Sequence, residues 1–215
     1  MGVTVEIVRG VHQVDGIIGN SYIINGKKMV VIDTGLPGNS RKIINYIRVA
    51  LKRSPNDVTT IILTHHHAGH SGNVYELKNL TGAIVAIHTA DADYVSGKKE
   101  LPSGCTPIQH MTPDTLLQDG DKIAGLTCVH SPGHTGGSIA LYDPNRRILF
   151  TGDTLIFDEG RIHGPREECS DDMKLVKSSI ITLSRLDYDL MLPGHGNPLK
   201  PDASAKVNEF SHSLT

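Results

Sequence analysis

Thr64-His65-His66-His67-Ala68-Gly69-His70-Ser71-Gly72 holds four of the chain's 12 histidines. The stretch closes a short β-branched run, Val58-Thr59-Thr60-Ile61-Ile62-Leu63, which sits behind Pro55-Asn56-Asp57 and reads as a buried strand over 58–64. Residues i and i+2 of an extended backbone point to one side. His65 and His67 therefore project together off the strand end, His70 comes round from the first turn of the next helix, and His66 faces the other way. A zinc ion takes neutral imidazole nitrogens at about 2.0–2.1 Å, and drawing several from one short segment limits the entropy lost in assembling the site. Four histidines at a strand end point to a metal centre rather than to a solvated loop.

Three later segments repeat the layout of a polar residue among small ones at a strand end. Ser131-Pro132-Gly133-His134-Thr135-Gly136-Gly137-Ser138 follows a strand over 126–129, Thr151-Gly152-Asp153-Thr154 a strand over 148–150, and Pro193-Gly194-His195-Gly196 a strand over 190–192. Glycines beside His134, Asp153 and His195 permit tight turns and a close approach of backbone to a buried ion. β-type runs open the chain at 3–8, 21–24 and 29–32, with Asn25-Gly26 signalling a hairpin. The spacing of Ile43, Ile44, Ile47, Ala50 and Leu51 predicts a helix behind Pro37-Gly38-Asn39-Ser40. Further helices are expected over 71–80, 90–95 and 203–210, with a long amphipathic one over 170–186 capped by Ser170. Strands over 83–87 and 138–142 and an irregular loop over 97–110 complete a layered α/β pattern.

Taken in order, these segments resemble the motifs of the metallo-β-lactamase-fold hydrolase superfamily. Val31-Ile32-Asp33-Thr34-Gly35 is similar to the first motif, residues 64–72 to the second, and His134, Asp153 and His195 to the third, fourth and fifth. The resemblance spans almost the whole chain and implies an α/β fold, the αβ/βα four-layer sandwich with metals along one edge. It implies that His65, His67 and His134 hold a first metal ion, that His70 and His195 contribute to a second, and that Asp153 bridges both as the catalytic carboxylate. Asp33 is implied to fix the histidine loop through hydrogen bonds. One position departs from the family. The second motif reads His-x-His-x-Asp-His, and Gly69 stands where the aspartate belongs. Glycine supplies neither a ligand nor a hydrogen-bond partner for the attacking hydroxide, so the second site is expected to be weakened. A natural specialisation and an inactivating substitution both fit.

The run from Gly152 to Arg161, the helix after it and Pro193-Gly194-His195-Gly196 resemble the glyoxalase II-like branch, whose members hydrolyse thioesters. Only 20 residues follow His195, where glyoxalase II enzymes carry a helical glutathione-binding domain. A small thioester, lactone or other ester is therefore the expected substrate. The implied mechanism is hydrolysis by a metal that lowers the pKa of its water from about 15.7 to about 7 and polarises the carbonyl. Arg161 and His163, close behind Asp153, and Tyr22 are the candidate substrate contacts. One or two zinc ions are the expected cofactor. Iron enters through a second reading, a persulfide dioxygenase in which His65, His134 and Asp153 form a two-histidine, one-carboxylate face. A third reading is a non-catalytic ligand-binding member of the fold.

Composition narrows the partners. At 215 residues one domain, 1–215, is expected. A net charge of −2 gives no basic field for nucleic acid. No apolar run approaches the ~18 residues of a membrane span, and the N-terminus lacks a signal-peptide layout. Three cysteines without CxxC spacing predict neither a disulfide framework nor a thiolate zinc site. The expectation is a cytoplasmic protein acting on a small molecule, as a monomer or homodimer.

Overall fold

In the computed structural model, which describes residues 5–101 and 105–214, the chain divides into two compact units, Met1–Leu116 and Leu117–Thr215. The early apolar runs of the first unit form an antiparallel meander, β1 (Val5–Val8), β2 (Val11–Gln13), β3 (Tyr22–Ile24) and β4 (Met29–Ile32). Residues 3 and 4 of the first expected strand lie outside the described residues. Asn25-Gly26 does lie between β3 and β4, yet neither residue uses positive φ. Instead Arg53 Nη1 donates to Asn25 Oδ1 (3.0 Å) and to the Gly26 carbonyl (3.2 Å), holding a longer connection.

β5 (Val58–Ile62) and β6 (Ile84–His88) continue the sheet in parallel, and β7 (Thr115–Leu117) ends it, in spatial order β1 to β7. Met29 pairs with Val58 but Val30 pairs with Thr60, so Thr59 is an extra residue in β5. This bulge inverts the alternation. Val58, Ile61 and Leu63 consequently share one core with Met29, Val31, Val85 and Ile87. That core is closed by Ile43 and Ile44 of α1 (Ser40–Asn45), Ile47 of the π-helical turn Tyr46–Ala50 that prolongs it, and Val74 and Leu77.

The helix expected over 71–80 is two pieces, α2 (Ala68–Ser71) and α3 (Val74–Thr81). Asn73 breaks it because its side chain is used elsewhere. Its Oδ1 accepts from the amides of Asn39 and Ser40, and its Nδ2 donates to the carbonyls of Thr34, Gly35 and Leu36. The α1 N-terminus is thereby capped from another element. α4 (Ala92–Val95) is shorter than expected.

The second unit is a five-stranded sheet built from β8 (Lys122–Ile123), β9 (Leu126–His130), β10 (Ile139–Asp143), β11 (Ile148–Gly152) and β14 (Leu190–Pro193), in the order β14-β11-β10-β9-β8. β12 (Ile156–Asp158) and β13 (Arg161–His163) form a separate hairpin. α5 (Met173–Leu183) buries Val176, Ser179, Ile180 and Leu183, the stripe its spacing demands. Its N-cap is Asp172, not Ser170. The Asp172 carboxylate accepts from the amides of Lys174 (2.8 Å) and Leu175 (3.1 Å), whereas the Ser170 hydroxyl donates to the Arg166 carbonyl. α6 (Ala203–His212) follows. No helix among the described residues is long and apolar enough to cross a membrane. The three cysteines are free.

Candidate metal centre

In the first unit three parallel strands, β4, β5 and β6, end side by side, and the carboxyl ends of such strands are where α/β sheets place ligands. Asp33 follows β4, the histidine run follows β5 and Asp91 follows β6. Asp33 is 2% exposed and adopts φ 57°, a left-handed conformation that aspartate tolerates better than most residues. Its Oδ1 accepts from the Thr64 amide at 2.7 Å and its Oδ2 from the Thr64 hydroxyl at 2.8 Å. The same Oδ2 lies 2.8 Å from His70 Nδ1.

The tautomers follow from these bonds. With its proton given to Asp33, the Thr64 hydroxyl receives the His65 Nδ1 proton across 3.1 Å. His65 and His70 are thereby both protonated at Nδ1, and each offers the Nε2 lone pair to a ligand site. His65 is centred 4.1 Å from the His70 ring and 4.9 Å from the His67 ring. In each of these two pairs the donor nitrogens lie within 4.8 Å of each other. Thr34 closes the clamp by donating its hydroxyl to the His70 carbonyl at 2.8 Å. His66 faces away, as its position in the run predicts. Its amide and its Nδ1 both meet Asp91 Oδ2 at 2.9 Å, and its ring stacks on Tyr94 at 4.0 Å.

The second unit repeats the strand-end arrangement with β11 and β14, which run parallel. Asp153 follows the first and His195 the second, and Gly194 N donates to the Gly152 carbonyl at 2.7 Å to hold the two ends together. His134 lies in the loop between β9 and β10. Gly133, at φ 129°, lets that loop meet the start of α5, where an added Cβ would lie 2.3 Å from the Val176 amide nitrogen. His134 Nδ1 sits 3.3 Å from the Ser170 hydroxyl, and Nε2 lies 3.4 Å from Asp153 Oδ2. His195 Nε2 is also 3.4 Å from that same oxygen. Asp153 is buried; the His195 side chain is 43% exposed.

The three expected substrate contacts separate. His163 lines a cleft with His134, Asp153 and His195. Arg161 borders a different groove, beside Phe157, Lys206 and Phe210. Tyr22 is enclosed in the sheet at 2% exposure, and burial holds its hydroxyl above the usual tyrosine range. It is a core side chain. Thr64, Asp91 and Arg166, the last of which lines the cleft with His163, are the contributors that sequence reasoning passes over. For Thr64 the available signal is its place between a buried strand and the first histidine.

Comparison with known proteins gives the family. The family model of the metallo-beta-lactamase superfamily matches residues 14–195. The probable metallo-hydrolase YflN of Bacillus subtilis is 27% identical, covering 92% of this chain and 88% of its own. The human acyl-coenzyme A thioesterase MBLAC2 is 30% identical, covering 83% and 73%. In fold, the chain is similar to the Cronobacter sakazakii metallo-β-lactamase with the HARLDQ motif, at a TM-score of 0.77 and 21% identity over 97% of this chain and 89% of that one. With histidine-rich groups suited to metal ions in place, the chain belongs to the metallo-β-lactamase superfamily and is a metal-dependent hydrolase.

Proposed function

We propose that this hydrolase cleaves small thioesters, using zinc held by its histidines and Asp153. The observation that carries the reading is Asp153, a buried carboxylate whose Oδ2 lies 3.4 Å from both His134 Nε2 and His195 Nε2. An oxygen flanked by two imidazoles is a donor that metal ions held by either histidine would have within reach. His65, His67 and His134 make up the first ligand group in this reading, and His70, His195 and the shared Asp153 the second. Imidazole and carboxylate donors fit zinc. Bound there, the ion supplies an acidified water and a Lewis acid for the substrate carbonyl.

The chain's own part is to fix the donors. Asp33 keeps a proton on Nδ1 of His70 directly and on Nδ1 of His65 through Thr64, so that Nε2 stays the ligand atom. Ser170 does the same for His134. The similarity to an acyl-coenzyme A thioesterase supports a thioester over a lactone or other ester. The −2 net charge supports a small-molecule substrate, and the three free cysteines support a reducing, cytoplasmic setting. Gly69 brings no carboxylate to the second ligand group, so Gly69→Asp should raise metal retention and turnover by at least ~10-fold.

The test is to strip the protein with a chelator, reload it with zinc or with iron under anaerobic conditions, and assay a panel of acyl thioesters at each stage. Hydrolysis that disappears with the metal and returns with zinc supports the reading. Full activity after exhaustive chelation contradicts it, as does turnover only with iron and oxygen on a persulfide.

A further inference from the structure

The cleft that opens beside His134, Asp153 and His195 has a volume of about 390 Å³, room for a small acyl group. Beyond those three residues its wall carries Arg166, His163 and Asp158. Asp158 is already engaged, its Oδ1 accepting from the Glu159 amide at 3.0 Å and the Asn197 amide group at 3.4 Å. His163 Nδ1 is committed to the Gly164 carbonyl at 2.8 Å. Arg166 differs from both. It is exposed, lines the cleft and makes no ion pair among the described residues. Its backbone is fixed, because its carbonyl accepts from the Ser170 hydroxyl at 2.8 Å and from the Cys169 amide at 3.2 Å. Ser170 is also the partner of His134 Nδ1. One serine therefore joins the Arg166 backbone to a residue of the proposed reaction centre.

A guanidinium on a fixed backbone, beside a small cleft and without a carboxylate of its own, is suited to bidentate capture of a carboxylate. We propose that Arg166 determines specificity by binding a carboxylate on the acyl part of the substrate, so that thioesters of short dicarboxylic acids are the preferred class. The proposal rests on the thioesterase reading for its substrate but not for its binding site. Arg161, on the groove beside Phe157, takes no part.

Two arms test it on the metal-loaded protein. In the first, kcat/KM is compared for the succinyl and butyryl thioesters of N-acetylcysteamine, a carrier without phosphate. The intact protein should prefer succinyl by at least ~10-fold. Arg166→Ala should erase the preference through KM while leaving the butyryl rate in place, and Arg166→Lys should restore part of it. Equal loss on both substrates overturns the proposal. If Arg166→Ala instead removes only a preference for butyryl-coenzyme A over butyryl-N-acetylcysteamine, the guanidinium reads a carrier phosphate and the acyl assignment is wrong. The second arm titrates glutarate and butyrate into both forms and needs no turnover. Glutarate should bind the intact protein more tightly and lose at least ~10-fold on Arg166→Ala, with butyrate unchanged. Should no thioester be cleaved while glutarate binding still depends on Arg166, the catalytic reading fails and the anion site stands. Glutarate binding that ignores Arg166 overturns the site itself.

Discussion

In the first unit the ligand candidates His65 and His70 rest on the buried carboxylate of Asp33, His70 directly and His65 through Thr64, while Asp91 holds His66 on the opposite side of the run. In the second they rest on turns and on the start of a helix: Ser170 beside His134, Gly152 and Gly194 behind Asp153 and His195. Both sets use the carboxyl ends of adjacent parallel strands, β4 and β5 in one unit and β11 and β14 in the other. They differ at His195, since His134 and Asp153, at 4% and 8% exposed, are enclosed like the donors of the first unit. His65 and His70 are 0% and 1% exposed, against 43% for the His195 side chain. A buried imidazole must have its polar atoms satisfied whether or not an ion is bound, whereas water serves an exposed one. Ligand geometry in the first unit is therefore part of the folding energy. At His195 it is closer to a purely functional feature.

Asp33→Ala puts that contrast under the heaviest strain. It strips the acceptor from the Thr64 amide, the Thr64 hydroxyl and His70 Nδ1 at once. Each buried donor left unmet costs about 1–3 kcal/mol, so stability should fall by roughly 3 kcal/mol or more, together with metal content. Chemical denaturation followed by metal analysis checks both. A stable variant would show that the carboxylate is dispensable to the fold. His195→Ala is the opposite case. Its stability should stay within about 0.5 kcal/mol of the parent, as for an exposed substitution, while turnover and retention of the second ion fall. Loss of folding here would erase the distinction between His195 and the buried donors.

A smaller effect concerns pH and the first unit alone. His12 on β2 is buried, with Nδ1 3.3 Å from the Tyr46 hydroxyl, and burial lowers its pKa below the ordinary value of about 6.5 while Glu6 opposes the change. The folded chain thus resists protonating it and the unfolded chain does not. Its share of stability is complete above pH ~6.5 and is lost as pH falls through the folded pKa. Stability measured from pH 7.5 down to 5 should decline less steeply in His12→Gln. An identical slope in the two forms would assign the acid sensitivity elsewhere.

Much of the candidate site is legible in the sequence because metal chemistry constrains residue type and spacing together. His65, His67 and His70 stand out as candidates from strand geometry, whereas His134, Asp153 and His195 are assigned by the resemblance to the family's motifs, which their glycine neighbours only accompany. What stays hidden are relations between elements. Asn73 breaks a helix that the apolar spacing continues, because its side-chain amide serves residues 34–40 instead. The bulge at Thr59 inverts a strand's alternation without any glycine to announce it. Ser170 reads as a helix cap, but Asp172 takes that role and Ser170 serves His134 and Arg166. Tyr22 stands in the sequence as a candidate pocket residue behind Gly19-Asn20-Ser21, yet β3 carries it into the core.

The decisive measurement is the metal content per chain and the thioester turnover of His134→Ala beside the parent protein, both purified under the same metal supply. Ligation by His134 predicts that the ion shared with His65 and His67 and the hydrolytic activity disappear together, with the fold retained. Full metal content in His134→Ala would contradict the ligand assignment on which the proposed chemistry stands.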